Sequence, residues 1–590
     1  MKPLLLRFLK WRNLHVSNKA FVLILSVLIG FCAGIAAVIL KTLTHYIREK
    51  IVKNYEDANE NYLFFALPFI GILLTVFFFK FFIKEKAGHG ISSILFSISR
   101  RKGFLKRHKM YSPVIGSAFT VGFGGSVGLE ASIVSAGSAI GSNIGRLFKL
   151  EYKHILLLIG CGATGAIAAI FNTPIAALVF ALEVLMLDLT LASLIPLLMA
   201  SITGTVTAKL FFAEELLFNF KIQDAFVSSD VPFFILLGLL CGLISVYFTR
   251  TEMFVEKKIK LIQNDYIRAV FGGIFLGLAI FLLPPLFGEG YDSISSLLSQ
   301  APGKLLEHSF VFSQRENNYI LVAFLFLAIL FKPFATALTI GSGGAGGIFA
   351  PSLLMGGISG FLVARVINMM NLPFTISETN FTLAGMAGLI AGILHAPLMA
   401  LFLIAELSGG YQLIVPLMIT SGVSLVTARF FEPHSIYTKR LAEKGQLITH
   451  HKDKAVLTLM KIKEVIENDF ESVNPEDTLG ELIKVIARSK RNIFPVVNKE
   501  NHFLGIVMLD DIRDIMFDPE QYQTIVVDDI MSIAPAHLCI TDSMENVMDV
   551  FTETGAWNLP VLEQGKYQGF ISKSKMFSAY RNVLVEFSHE

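Results

Sequence analysis

Apolar runs broken by glycine and proline dominate the first three quarters of the chain. Ala20 to Leu40 and Tyr62 to Phe82 each supply the roughly 20 apolar residues that a bilayer-spanning helix needs. A long run follows from Ile155 to Leu187, interrupted at Asn172-Thr173-Pro174. Further runs cover Leu191 to Phe212, Val231 to Phe248, Ile267 to Phe287, Tyr319 to Ile340, Leu353 to Val366, Phe381 to Leu407 and Leu413 to Phe431. The polar interval Gly288 to Asn318 reads as an external loop. From about Thr458 onward the pattern changes to short alternating strands and amphipathic helices, the mark of a soluble α/β region.

Two correspondences inside the apolar region matter more than the helix count. Gly128-Leu-Glu130-Ala-Ser132 is echoed by Gly347-Ile-Phe349-Ala-Pro351, and each follows a glycine-rich stretch. Gly165 to Pro174 is likewise matched by Gly388 to Pro397, and the match extends to Glu183 and Glu406, each nine residues beyond its proline. The chain therefore carries two copies of one half-domain, about 62–215 and 267–431. Repeated halves with glycine-interrupted helices in corresponding places point to a binding site between them at mid-membrane.

Glu130 is the exceptional residue of this region. A carboxylate at membrane depth is costly and marks a functional site by default. Gly122, Gly124, Gly125 and Gly128 permit irregular backbone ahead of a helix from Ala131 to Phe148, so unpaired N–H groups at the helix start can face one point and attract an anion. Glu130 would compete there with a diffusing anion, and protonation would release it. The plainer alternative is a buried glutamate paired with a distant base, since no lysine or arginine lies between Met110 and Gly145.

The composition agrees with a membrane protein. Of 590 residues 53% are hydrophobic, and the mean hydropathy is +0.62. A net charge of +3 gives no reason to expect nucleic-acid binding. Basic residues concentrate at Lys2 to Lys19, Lys84 to Lys109, Arg250 to Lys260 and Lys439 to Lys454, which places those segments and both termini in the cytoplasm. Residues 1–18 mix leucines with lysine and arginine, as in an amphipathic helix on the inner membrane surface. Cys32, Cys161, Cys241 and Cys539 show no paired spacing and read as small hydrophobes, neither disulfides nor metal ligands.

The soluble region is also duplicated. Asn474 to Leu479, Ile493 to Val497 and Gly505 to Val507 recur as Ile540 to Met544, Asn558 to Leu562 and Gly569 to Ile571, with Asp518 to Tyr522 as a linker.

Gly128-Leu-Glu130-Ala-Ser132, Gly347-Ile-Phe349-Ala-Pro351, Gly88-His89-Gly90-Ile91 and Tyr437 occur in the order found in the CLC chloride channels and transporters. The resemblance spans Ala20 to Gly445, and the tail resembles a tandem pair of CBS domains. It implies a mainly α, multispanning CLC fold of two inverted-topology repeats within 19–450, then CBS copies at 451–522 and 523–590. It also implies a homodimer in the plasma or inner membrane, with one chloride path per subunit and no required cofactor. In that picture Gly128, the N–H groups of Ile348 and Phe349, and the Tyr437 hydroxyl hold the anion, and Glu130 is the gate. The Gly-Ile-Phe-Ala-Pro element matches fully, whereas Leu129, Ala131 and Ser132 depart from the usual residues around the glutamate.

Two further departures carry function. His89 stands where the family commonly has serine as an inner anion ligand; a neutral imidazole can still donate one N–H. Val184 stands where the antiporters commonly carry an inner proton-relay glutamate, and valine cannot carry a proton. The resulting expectation is a passive chloride channel with a glutamate gate, with proton-coupled chloride exchange as the alternative. In the tail, Asp511, Ser572 and Lys575 are the candidate contacts for an adenine nucleotide, although neither copy has the complete signature. A CBS-bearing magnesium transporter would need several carboxylates around the cation, and a membrane zinc protease needs a His-Glu-x-x-His helix, which the sequence lacks.

Overall fold

The computed structural model describes Arg7, Arg12 and residues 14–53, 62–86, 88, 90–186, 191–211, 224–299, 301–306, 318–370, 373–444, 460 and 462–588. Most of the amphipathic stretch 1–18 lies outside these residues, as do His89 and Asp188. Two units form, Met1–Leu447 and Ile448–Glu590. Among the described residues of the first, nine helices are long and apolar enough to cross a membrane.

The first half of the membrane unit comprises α1 (Asn18–Ile47), α2 (Tyr62–Phe78), α3 (Gly90–Arg100), α4 (Ser112–Gly122), α5 (Glu130–Leu147), α6 (Tyr152–Phe171), α7 (Pro174–Glu183), α8 (Leu191–Phe211) and α9 (Val231–Ile259). The second comprises α10 (Asp265–Leu282), α11 (Tyr291–Leu298), α12 (Asn318–Gly341), α13 (Phe349–Met369), α14 (Glu378–Leu394), α15 (Pro397–Leu407), α16 (Ile414–Phe431) and α17 (Ile436–Ala442).

Corresponding elements of the halves end for the same local reasons. Asn172 after α6 and His395 after α14 take left-handed backbone, with φ of 58° and 57°. A proline then opens the next helix, at Pro174 or Pro397, where its missing N–H costs nothing. The continuous run Phe381 to Leu407 is thus two helices. Packing repeats as well: α5 lies on α6 with Gly137 against Gly162, and α13 lies on α14 with Gly356 against Gly385. A side chain at any of these four glycines would run into the facing backbone.

The interval Gly288 to Asn318 is not a plain external loop. It contains α11 and a 3₁₀ turn at Pro302–Leu306, and Ile294, Leu297, Leu298, Leu305 and Leu306 are buried. Its polar residues supply the N-terminal turn of a short helix whose apolar face packs inward. Cys161 and Cys241 are buried free thiols.

In the second unit, β1 (Ile493–Val497) pairs antiparallel with β2 (Phe503–Met508). β3 (Leu538–Cys539), β4 (Asn558–Glu563) and β5 (Lys566–Ser572) form a second sheet, with β4 and β5 antiparallel. The helix Leu479–Arg488 starts at a reciprocal Thr478–Glu481 capping box, as its sequence requires. Phe494, Val496 and Val507 centre one small core, and Phe551, Leu559 and Val561 the other.

Candidate functional site

The site forms where the glycine-rich stretches of the two halves meet. Gly128 and Gly347 exchange backbone hydrogen bonds, Gly128 N–H to Gly347 O at 2.9 Å and Gly347 N–H to Gly128 O at 2.8 Å. The junction is held on both sides by a crossed pair of threonines. Thr120 of α4 accepts from Ala345 N–H (2.9 Å) and Thr339 of α12 accepts from Ser126 N–H (3.2 Å), so each half grips the other's loop. Composition and spacing gave no prior sign of this pair, although each threonine stands ten residues before the first residue of its helix, Glu130 or Phe349.

From this junction α5 and α13 run away, their starts side by side. Leu129 and Ile348 are the N-caps, and neither start has a side-chain cap. The first N–H groups of both helices are therefore aimed at the junction with no N-cap side chain to accept from them, an arrangement that attracts negative charge. Ile348 and Phe349 are buried at 1% and 3% exposure, so the donors act in a dry setting where water does not compete.

Glu130 occupies that setting. Its side chain folds over Gly128, where a Cβ would overlap the carboxylate and crowd Ala350, and the N–H of Ala350 points at it. Tyr291 of α11 donates its hydroxyl to Glu130 Oε1 at 2.7 Å, while Oε2 is buried with no hydrogen-bond partner among the described residues. The Tyr291 contact was invisible in the sequence because the residues lie 161 positions apart.

Tyr437 sits in the first turn of α17, buried, with its hydroxyl unpartnered among the described residues and within electrostatic reach of Glu130. Ser92 Oγ of α3 donates to Tyr437 O at 3.1 Å, tying this turn to the start of α3. Arg440, one turn on, pairs with Glu252 and with Glu256 (2.8 Å) of α9, which fixes the helix that carries the tyrosine. An orphaned buried hydroxyl is costly, and a dehydrated anion in front of it would satisfy the O–H. Tyr437→Phe is expected to weaken chloride binding by about tenfold, the equivalent of one hydrogen bond to an ion at ~1.4 kcal/mol. Isothermal titration with chloride checks this; unchanged affinity would remove Tyr437 from the site.

On the same side as α3, a cavity is lined by Lys86, Gly88, Ser93, His108 and Lys109 and reaches Ala131 and Ser132, the two residues after Glu130. At its rim Glu85 accepts from Lys106 and faces His108, and the Lys106 hydrogen bond holds the Glu85 carboxyl below the ordinary carboxylate range.

Val184 follows the last residue of α7 and is buried at 4% exposure. Its neighbour Glu183 accepts from the N–H groups of Leu398 (3.2 Å) and Met399 (2.8 Å) at the start of α15. Glu406, at the end of α15, accepts from Ile175 (3.0 Å) and Ala176 (2.9 Å) at the start of α7. The matched glutamates thus cap each other's helices across the two halves.

These features fit one family. The profile described as voltage gated chloride channel matches residues 70–429, and the CBS domain profile matches 462–518 and 527–582. The chain belongs to the voltage gated chloride channel family. Relatives include the H(+)/Cl(-) exchange transporter ClcA of Vibrio cholerae, 27% identical over 436 residues, or 71% of this chain and 89% of the relative. Chloride channel protein CLC-e of Arabidopsis thaliana is 24% identical over 550 residues, 82% of this chain and 75% of that protein. Among solved structures, that of a slow cyanobacterial Cl-/H+ antiporter covers 73% of this chain and 98% of its own, with a TM-score of 0.62 at 22% identity. The protein is a membrane-embedded anion transporter of the CLC fold with a tandem CBS tail.

In that tail Ser572 donates its hydroxyl to Glu467 and accepts from Lys575 N–H at 3.1 Å, so it caps the helix Lys573–Ser588. Asp511 and Lys575 are exposed, and no hydrogen bond joins Asp511 to the other two among the described residues.

Proposed function

We propose that this protein exchanges chloride for protons, with Glu130 both blocking the anion path and carrying the proton. The observation that carries this reading is the seat of Glu130: its carboxylate lies at the uncapped starts of α5 and α13, where an anion would bind. A charged carboxylate and chloride compete for the same N–H groups, and a neutral one no longer holds them. One site then serves both ions in turn. Gly128, Ile348 and Phe349 present backbone donors, and Tyr437 adds its hydroxyl on the inner side. Neutral donors bind chloride without trapping it as a full positive charge would. The Vibrio cholerae relative and the cyanobacterial antiporter are both named for exchange rather than for passive flow, which supports the same reading.

Val184 favours the second reading, passive conduction, because it offers no acid on the inner route. Against it stands the cavity lined by Glu85 and His108, which reaches Ala131 and Ser132 beside Glu130 and supports a water route that needs no acid at 184. Purified full-length protein in liposomes, with chloride efflux and proton uptake recorded together, decides between them. Chloride-driven uphill proton uptake is expected; chloride flux with no proton movement would leave the passive channel.

The same reading takes the protein as a homodimer with one path per subunit and both termini in the cytoplasm. For the tail it takes a structural role, since the Ser572 hydroxyl is already engaged by Glu467. Millimolar AMP, ADP and ATP are expected to leave the melting of the full chain unchanged; a saturable shift would establish nucleotide binding instead.

A further inference from the structure

The short turn before α11 closes over Glu130 and carries a second acid. Gly288 and Gly290 both have positive φ, 60° and 86°, and between them stands Glu289. Its Oε1 accepts from Leu129 N–H at 3.3 Å, one residue before Glu130, while Tyr291 holds the Glu130 carboxylate itself. Two side chains of one turn therefore contact consecutive residues, Glu289 the Leu129 N–H and Tyr291 the Glu130 carboxylate. Gly288 N–H also bonds Gly124 O at 3.0 Å, which fastens the turn to the loop that leads into α5.

Lys332 of α12 lies behind this turn at 0% exposure. It donates to Leu286 O (3.2 Å) and Gly288 O (3.3 Å) and makes no ion pair within 4 Å among the described residues. Its charge reaches Glu289 through space. A carboxylate kept only to neutralise a buried lysine would pair with it directly, because an uncompensated buried charge is costly. Glu289 instead accepts from the Leu129 N–H, one residue before Glu130, and lies within electrostatic reach of Glu130. Glu130 is 3% exposed, whereas Glu289 is partly exposed, and the Arg48–Asp292 pair stands at the exposed rim beyond it. The charged and titratable groups around Glu289 are thus Glu130 and Lys332, both buried, Tyr291, half-buried, and Arg48 and Asp292 at the exposed rim.

We propose that Glu289 is the outer proton donor and acceptor for Glu130, with Lys332 as its through-space counter-charge. In the inward step the Glu289 O–H bond breaks, the proton forms an O–H bond on Glu130, and Glu289 is left as a carboxylate in the field of Lys332. External water then returns a proton to Glu289. The outward step is the reverse. A positioned acid between solvent and a buried base is the ordinary requirement for such a transfer, and membrane transporters place acids in this way.

The proposal rests on Glu130 being titrated during transport, and the test separates the two ideas. Full-length protein in liposomes is assayed for chloride and proton flux while external pH is varied at fixed internal pH. Glu289→Gln is expected to lower the proton-to-chloride flux ratio at least tenfold and flatten its dependence on external pH, and Glu289→Asp to restore most of both. Glu289→Gln added to Glu130→Gln is expected to change nothing further. Wild-type proton flux and external-pH dependence in Glu289→Gln would overturn the proposal, as would an additional loss in the double variant. Should wild-type protein move chloride alone, the exchange reading fails, and the dependence of chloride flux on external pH is read instead: a shift or flattening in Glu289→Gln supports the outer acid, and no change overturns it. Where Glu289→Gln does not fold, the charge-neutral pair Glu289→Gln with Lys332→Met is read by the same criteria.

Discussion

Proton uptake is expected to vanish in Glu130→Gln while chloride still flows, and chloride flux is expected to lose its dependence on pH. Glutamine keeps the shape and the Tyr291 contact but cannot release or accept a proton, so the side chain no longer alternates between occupying the anion position and leaving it. The proton-to-chloride ratio should fall by more than about tenfold, the equivalent of more than ~1.4 kcal/mol of lost coupling. Chloride flux should be flat from about pH 5 to 8, the span over which a carboxylate with a raised or ordinary titration point would change charge. Parallel chloride and proton recordings on reconstituted protein check both. Uphill proton uptake that survives in Glu130→Gln would take the carboxylate out of the mechanism.

Stability is expected to depend on the exchanged caps. Glu183 and Glu406 each accept two backbone N–H groups from the start of the other half's short helix. Replacing either by Ala leaves two donors without their partner and removes a negative charge from a helix start, which should cost about 3 kcal/mol. The Gln variants keep one neutral acceptor and should cost roughly half as much, about 1–2 kcal/mol. Because the two caps lie at symmetric positions of one interface between α7 and α15, the double Ala variant is expected to lose more than either single. Thermal unfolding in detergent, followed by loss of monodisperse protein on heating, measures the order wild type, Gln, Ala, double Ala. Melting of the Ala variants at the wild-type temperature would mean that water caps these helices equally well.

The passive expectation drawn from Val184 rests on one local residue. The missing acid is real, but its weight depends on whether water can reach Glu130 by another way. The cavity that reaches Ala131 and Ser132 is made by the segment after α2, by α3, the turn before α4, α4, α5 and the loop before α13, drawn from both halves. Likewise the interval Gly288 to Asn318 looked like an external loop because its residues are polar. Only in the folded chain does Glu289 meet Leu129 and Tyr291 meet Glu130.

The sequence alone determined the apolar spans, the two-fold repetition, the glycine breaks and the carboxylate of Glu130 beside one of them. These follow from local rules: the length of an apolar run, the freedom of glycine, the missing N–H of proline and the cost of an acid among apolar neighbours. It also determined that Glu183 and Glu406 are equivalent, by their equal distance from Pro174 and Pro397. Tertiary structure decided what each of them touches. Thr120 and Thr339 cross, Glu183 and Glu406 exchange helices, Tyr291 holds the Glu130 carboxylate and Glu289 the Leu129 N–H, all between residues more than 150 positions apart. A hydrogen bond is made within about 3 Å, and periodicity along a chain carries no information at that range about a partner in the other half.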